Sequence, residues 1–322
     1  MRAFVTGGSG FIGSHLIEAL LREGWSVAAL ARRSPIVQAD RVDVFTGEVT
    51  DPGVLAAGMR NADAVFHLAA AVGSSPGGRA DDFRVNASGS AAVLEAARRA
   101  GAGRLIHFSS AGVFGAVADG EVAAESYPRR PILAYDRAKL EGEDLALRAA
   151  TEGFHVVVIR PGWVYGPRDR RTFKLIRTIA RGRFILATRG AARQTPVYVD
   201  DLVRGTLAVA ARGGAGEIYH LAGREILTAR AIVEETASAC GRRLSRFRVP
   251  TPAARLAAFV LERAWRPLRR EPPLNRAKLS FFLSSKALSI DKAERELGYA
   301  PAVEFSRGIR LAVDWYRQNG WL

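Results

Sequence analysis

A glycine-rich octet, Thr6-Gly7-Gly8-Ser9-Gly10-Phe11-Ile12-Gly13, directly follows the apolar run Arg2-Ala3-Phe4-Val5-Thr6 and leads into a helical pattern over His15–Glu23. Few folds use a strand, a glycine turn and a helix in that order. Gly7 permits the tight turn, Gly10 lets a diphosphate approach the backbone, and Gly13 lets the helix pack closely on the strand. The free N–H groups at the start of such a helix face an anion. The chain is therefore expected to begin as a βα unit that holds dinucleotide phosphates.

The alternation continues. Ser26–Ala31, Val42–Thr46, Ala64–Leu68, Leu105–Ser109 and Val156–Arg160 read as strands, with helices at Asn86–Arg99 and Ala134–Ala150 between them. Strand–helix alternation at this spacing predicts an α/β fold, a Rossmann-type doubly wound parallel sheet. Arg160-Pro161-Gly162 marks a break, followed by a helix at Phe173–Arg181, a return to the sheet at Val197–Asp201 and a last strand at Glu217–Ala222. From about Thr228 the pattern is helical and punctuated by proline. This predicts a dinucleotide-binding domain of residues 1–162 plus about 196–223, and a smaller, mostly helical C-terminal substrate domain of about 163–195 plus 224–322. A ligand crevice is expected between them.

Composition narrows the class of function. At 322 residues, 48% hydrophobic and 25% charged, the chain can bury a large core and reads as an ordinary soluble protein. Its one cysteine, Cys240, rules out an internal disulfide and suits a reducing, cytoplasmic compartment. The five histidines (15, 67, 107, 155 and 220) have no metal-ligand spacing, so no metal site is expected. Met1 opens directly onto an apolar strand, so no signal peptide is expected, and no apolar run reaches the ~18 residues that span a bilayer. The net charge of +15 comes from arginines scattered along the chain without a nucleic-acid-binding motif, so no nucleic-acid partner is expected.

Two further groups carry chemistry. Tyr135 and Lys139, four residues apart on a predicted helix, share one face, so the ammonium can sit near the phenol. Bringing a phenol from pKa 10 to about 7 takes roughly 4 kcal/mol, which a Lys⁺ and a cationic nicotinamide ring could supply together. Ser109 and Ser110 end the predicted fifth strand, where a hydroxyl points into the crevice and can hold a carbonyl or alkoxide oxygen. The second strand ends Leu30-Ala31-Arg32-Arg33-Ser34 without the acid that binds the 2′-hydroxyl of NAD, and arginine forks suit a 2′-phosphate. NADP(H) is therefore the expected cofactor, with NAD(H) as the alternative.

On these residues, and on Asp63–Ala70, Val85-Asn86-Ala87, Arg160–Pro167 and Val197–Asp201, the chain resembles the extended short-chain dehydrogenase/reductases. The likeness is to the NAD-dependent epimerase/dehydratase and 3β-hydroxysteroid dehydrogenase group, over nearly the whole chain. It implies that Tyr135 is the acid/base, that Lys139 binds the nicotinamide ribose and lowers the tyrosine pKa, and that Ser110 orients the reacting oxygen. It also implies cofactor contacts from Gly7, Gly10, Phe11, Ile12, Gly13, Arg32, Arg33, Glu48, Val49, Leu68, Ala69, Ala70, Asn86, Ser109, Pro161, Gly162 and Val164. A homodimer through paired helices is common in such proteins.

Departures from the family pattern narrow the reaction. Dehydratases of this group carry an acidic pair after the serine or threonine, and this chain has Ala111-Gly112. Sugar-nucleotide enzymes commonly carry an Arg-Asp before the Val-Tyr-Val-Asp-Asp-like segment, and Gln194-Thr195-Pro196 stands there instead. Glu271–Arg276, Asp291–Tyr299 and Trp315-Tyr316 resemble the branch acting on sterols, isoprenoid lipids and β-keto compounds. The resulting expectation is an oxidoreductase interconverting an alcohol and a ketone on an apolar or moderately apolar small molecule. Alternatives are a nucleotide-sugar epimerase and, from another class, a non-enzymatic dinucleotide-sensing regulator. Leu256–Arg270 is apolar and arginine-rich, an amphipathic helix that covers an apolar site or gives peripheral membrane contact.

Overall fold

A computed structural model describes residues 1–32, 35–71, 80–245, 247–265 and 272–322. Arg33 and the stretch 266–271, which holds the end of the Leu256–Arg270 segment, lie outside the described residues.

Seven strands form one parallel sheet: β1 (Arg2–Thr6), β2 (Ser26–Ala31), β3 (Val42–Thr46), β4 (Ala64–His67), β5 (Arg104–Phe108), β6 (Val156–Pro161) and, later in the chain, β11 (Ile218–Leu221). Their order across the sheet is β11-β6-β5-β4-β1-β2-β3, so the direction of winding reverses between β1 and β4. Ligand crevices open at that reversal, outside the carboxyl ends of the strands.

Alternate residues of each strand supply two cores. Val5, Ala29, Phe66, Ile106, Val157 and Ile159 face α1 (Phe11–Arg22) and α6 (Val199–Arg212). Phe4, Ala28, Val65, Leu105, Val156 and Val158 face α2 (Pro52–Gly58), α3 (Ala80–Arg99) and α4 (Ala134–Thr151). A sheet covered on both faces requires apolar runs rather than alternation, which is how these strands read.

The rest of the chain packs around a third core. It is built from α5 (Arg170–Ala180), α7 (Ala229–Ala239) and α11 (Phe305–Gln318), with α9 (Arg276–Leu283) against it; α8 (Thr251–Trp265) packs on α9 in a small separate cluster, and α10 (Asp291–Leu297) packs into the first core. Short strand pairs join these helices: β7 (Trp163–Tyr165) with β10 (Pro196–Tyr198), β8 (Leu186–Ala187) with β13 (Arg248–Val249), and β9 (Arg193–Gln194) with β12 (Leu227–Thr228). Tyr165, Ile176, Ile232, Phe305, Ile309 and Tyr316 form the centre of this third core.

The expected return to the main sheet at Val197–Asp201 is incorrect. Pro196–Tyr198 pairs with β7 in a separate two-stranded sheet, and α6 starts at Val199. The two acids following the short apolar run are first-turn residues of that helix, where they complement its positive end. Asp201 is buried, and its carboxylate accepts the amides of Ala302 (3.0 Å) and Val303 (2.9 Å). It thereby ties the start of α6 to the loop before α11. The first helix also starts four residues before the expected His15, immediately after Gly10.

Candidate active site

The glycine loop is held by contacts that exclude side chains. Gly7 has φ +75°, and a Cβ there would lie 2.8 Å from the Ala69 amide nitrogen. A Cβ on Gly13 would lie 2.2 Å from the Gly7 carbonyl oxygen, so the first turn of α1 rests directly on the loop. The Gly10 amide donates to that same oxygen at 2.9 Å. Gly10 is the N-cap, no side chain covers the first amides of α1, and its first turn has no acid. The open positive end fits the diphosphate of a dinucleotide, with the amides beside Phe11 and Ile12 as donors.

Around that loop, Thr6 joins β1 to the end of β4. Its Oγ1 is 2.8 Å from His67 Nδ1 and accepts the Ala69 amide at 3.2 Å, which fixes Leu68-Ala69-Ala70 beside the glycines. Asn86 is almost fully buried, and both ends of its amide are used on Ala71: Oδ1 accepts the Ala71 N–H at 2.6 Å and Nδ2 donates to the Ala71 oxygen at 3.2 Å. Its direct role is to latch this segment. Val49 packs against α3, where Gly89 provides the room: a Cβ at Gly89 would sit 2.8 Å from Val49 Cγ1. Arg32, at the tip of β2, is exposed, and its Nη1 lies 3.9 Å from Glu48 Oε2. The residues expected for a 2′-phosphate and for the adenine side therefore face each other.

Ser109 and Ser110 have different surroundings. Ser109 is buried and its Oγ donates to Glu143 Oε2 at 2.5 Å. Ser110 is half-buried and its Oγ accepts the Gly112 amide at 3.0 Å, capping the short turn Ala111–Phe114. That hydroxyl keeps its own proton to donate to a substrate oxygen.

Tyr135 and Lys139 lie on the first turns of α4, whose N-cap is Leu133. Asp136, at the third helical position, accepts the Leu133 backbone N–H, the carboxylate half of a capping box. Asp136 also packs onto the serine turn: a Cβ on Gly112 would lie 1.9 Å from Asp136 Oδ1 and 3.1 Å from Ser110 Oγ. This contact accounts for the glycine at 112. Lys286 Nζ reaches the Asp136 carboxylate at 3.9 Å from the C-terminal part of the chain.

Burial raises the Tyr135 phenol above its ordinary 10.0; the Arg171 guanidinium opposes this and the Asp136 carboxylate adds to it. Lys139 is itself nearly fully buried, and loss of solvent brings it down to about 8 against the pull of Glu143. Beneath it lie His67 and His107, with ring centroids 5.4 Å apart. Burial and then the charge of Lys139 hold both neutral, His67 down to about 3.

Glu143 is one further turn along the same helix and was not singled out in the sequence. It is fully buried, receives Arg160 Nε (3.0 Å) and Nη2 (2.5 Å), and also Arg129 (3.1 Å). Burial alone would raise its carboxyl. The hydrogen bonds and charge of Arg160, with Ser109 and Arg129, outweigh that and hold it below its ordinary value. This buried network fixes the strand ends that carry Ser110 and Pro161-Gly162.

Just past β6, Gly162 sits where a Cβ would lie 2.3 Å from the Thr195 oxygen, and Val164 packs against the core beside it. The Trp163 ring is 5.8 Å from Tyr165 in a stack and 5.1 Å from Phe281. Gln194 is buried and donates to the oxygens of Phe281 and Ser284, both at 3.0 Å, while Thr195 Oγ1 donates to the Lys286 oxygen at 3.2 Å. Where a diphosphate fork would stand, these side chains instead fasten the end of α9. Among the described residues no group of His, Cys, Asp or Glu could hold a metal ion, and no helix is long and apolar enough to cross a membrane.

With this fold and grouping, the chain belongs to the NAD-dependent epimerase/dehydratase family of extended short-chain dehydrogenase/reductases, whose profile matches residues 3–222. It is 34% identical, over 99% of its length and 97% of the other protein, to a 4-hydroxy-2-methyl-3-oxo-4-farnesyl-3,4-dihydroquinoline-1-oxide ketoreductase of Stigmatella aurantiaca. It is 30% identical to sterol demethylase protein B of Methylococcus capsulatus, over 100% of both chains. Among solved structures it superposes on DesIV, a dTDP-glucose 4,6-dehydratase of Streptomyces venezuelae with NAD and TYD bound. That match has a TM-score of 0.80 and 30% identity, covering 100% of this chain and 98% of the other.

Proposed function

We propose that this protein is an NAD(P)-dependent oxidoreductase that interconverts a ketone and an alcohol on an apolar or moderately apolar substrate, and that near neutral pH it works as a reductase. The observation that carries this reading is the half-buried Ser110 hydroxyl beside a turn with no acid at 111 or 112, together with Tyr135 and Lys139 on one face of α4. When bound, the nicotinamide cofactor supplies or accepts the hydride. Ser110 holds the substrate oxygen by donating its proton. Tyr135, kept protonated by burial, gives that oxygen its proton. Lys139 binds the ribose hydroxyls, and Pro161-Gly162 back the nicotinamide.

The apolar substrate is supported by the Trp163–Phe281 aromatic wall and by the fastening of Gln194 and Thr195 where a diphosphate clamp would sit. It is also supported by likeness to enzymes named for a farnesylated quinoline and for sterols. We propose that NADP(H) is preferred, since β2 ends in Arg32 without an acid. The test of the catalytic assignment is Tyr135→Phe. Turnover should vanish while cofactor titration is unchanged, and a variant that still turns over would refute it.

The likeness to a dTDP-glucose dehydratase with bound TYD supports a second reading, a nucleotide-sugar epimerase using the same three residues. Tightly held NAD in the purified protein, with UDP-sugar isomerised and no net redox change, would favour it.

A further inference from the structure

Helix α8 has one face packed and one face bare. Ala254 and Ala258 are fully buried against Leu279 of α9, with Val249, Leu274 and Leu283 around them. On the opposite side Leu256 is 65% exposed, Phe259 53% and Val260 52%. Their i, i+3, i+4 spacing makes one continuous stripe. Arg255 and Arg263 are exposed on the same side, four residues before and after Phe259.

The one acid of α8, Glu262, lies at the edge of that stripe, on the flank of Arg255. It turns toward α9, where its Oε1 accepts the Arg276 amide at 2.7 Å and its Oε2 the Arg276 Nε at 3.0 Å. Within α8, the outward face thus offers large apolar groups and guanidinium groups, and the helix's one carboxylate is already engaged by Arg276. Just before α8, the pairing of Arg248 with Leu186 sets Phe247 (65% exposed) beside Ile185 (48%).

We propose that this face of α8 is a docking surface for an anionic lipid bilayer. Apolar side chains between arginines fit the boundary between acyl chains and negatively charged headgroups. A purely hydrophobic protein partner would not require the cations, and an acidic soluble partner would not require Leu256, Phe259 and Val260 together. The position also serves the substrate class proposed above. α9, which packs under α8, carries Phe281 against Trp163, so the bilayer-facing layer is one helix away from the apolar wall of the site. The inference extends the apolar-substrate reading, but its test needs no turnover, so the two can fail separately.

The test is flotation of the full chain with vesicles of phosphatidylglycerol and phosphatidylcholine, compared with phosphatidylcholine alone. The protein should float with the anionic vesicles only, and less so as salt rises. Arg255→Glu with Arg263→Glu should weaken binding at least ~30-fold, since each basic residue near such a surface contributes roughly fivefold. Leu256→Ser with Phe259→Ser should abolish flotation while NADPH binding, a measure of intact fold, stays unchanged. Absence of flotation at low salt would overturn the proposal, as would equal binding by both double variants. A self-association of the free protein that the Leu256→Ser/Phe259→Ser variant abolishes would also overturn it, because the face would then be covered by a second copy of the chain.

Discussion

The Ser109 hydroxyl donates to the buried Glu143 carboxylate at 2.5 Å, and this separates the roles of two adjacent serines. Ser109 is committed to holding the end of β5 against α4. Ser110, one residue on, accepts the Gly112 amide and retains a proton for a substrate. Ser110→Ala should lower kcat by about 10²- to 10³-fold, the usual effect of losing one donor to the reacting oxygen, at a stability cost of ~1 kcal/mol for the lost cap. Ser109→Ala should behave the other way round, costing about 1.5–3 kcal/mol for a lost hydrogen bond to a charged group, with a smaller loss of kcat. Steady-state kinetics and urea unfolding of the two variants, side by side, check the assignment. Equal kinetic defects would show it to be wrong.

Glu143 and Arg160 form a buried ion pair, 0% and 1% exposed at their side chains. Replacing only one partner leaves a charge stranded without water. Glu143→Gln should therefore destabilise by about 3–5 kcal/mol, far more than an exposed pair such as Arg98 with Glu95. Because the folded state holds the Glu143 carboxyl below its ordinary 4.5, its contribution is present above that value and lost as pH falls through the lowered one. Unfolding midpoints as a function of pH should show the wild type losing stability below pH 4.5 along a limb that the variant lacks.

Lys139 gives a prediction of opposite sign. Its ammonium is buried and held down to about 8 from 10.5, so the folded protein bears a cost for the charge at neutral pH. At ~1.4 kcal/mol per pKa unit the cost is about 3 kcal/mol. Lys139→Met should abolish turnover yet stabilise the cofactor-free protein by about 2–3 kcal/mol at pH 7. Between pH 8 and 10.5 the folded chain releases this proton while the unfolded chain keeps it, so wild-type stability climbs with pH and the gap narrows. A destabilised variant at pH 7 would mean that Lys139 is held by interactions stronger than its burial.

These relationships also mark what the sequence could reveal. β1 and β2 were readable to the residue because each is an apolar run buried along nearly its whole length, whereas β3 is an edge strand with Asp43, Val44 and Thr46 exposed, readable from its β-branched and aromatic residues. Val197–Asp201 misled because three residues of a local pair and the acidic first turn of a helix together resemble one strand. In the site, Glu143 left a signal that went unused: it follows Tyr135 and Lys139 at i+8 and i+4 on the same helical face. Asp136, three residues after Leu133, had the spacing of a capping box. Arg160, Gln194 and Lys286 left none, since their partners are 17 to 150 residues away and only tertiary packing brings them together.

Arg32 and Glu48 make cofactor preference testable at a single pair. Their 3.9 Å contact is exposed and weak, so a 2′-phosphate can compete for the guanidinium. Arg32→Ala should weaken NADPH binding about 10- to 100-fold, the worth of a charge-assisted hydrogen bond, while changing NADH binding by less than threefold or so. Glu48→Gln removes a like charge from beside the phosphate and should tighten NADPH alone. Titrations of both dinucleotides into the three proteins would overturn the preference if NADH binds at least as tightly as NADPH to the unmodified chain.

Tyr135 connects the burial of the site to the direction of the reaction. Burial raises its phenol, the Arg171 guanidinium of α5 offsets part of this and the Asp136 carboxylate adds a smaller rise, so the protein alone supplies a proton donor. Reduction needs that protonated form and oxidation needs the phenolate. The rate of ketone reduction should therefore be flat across neutral pH and fall only at alkaline pH, whereas alcohol oxidation should rise steadily over the same range. Asp136→Asn removes the nearby negative charge while keeping an acceptor for the Leu133 amide. It should shift both limbs to lower pH and raise the oxidation rate at pH 7 several-fold, with little effect on the KM for the cofactor. Moving the pH limbs distinguishes an electrostatic role from a purely structural one, because a loosened helix start would lower both rates and leave their midpoints in place.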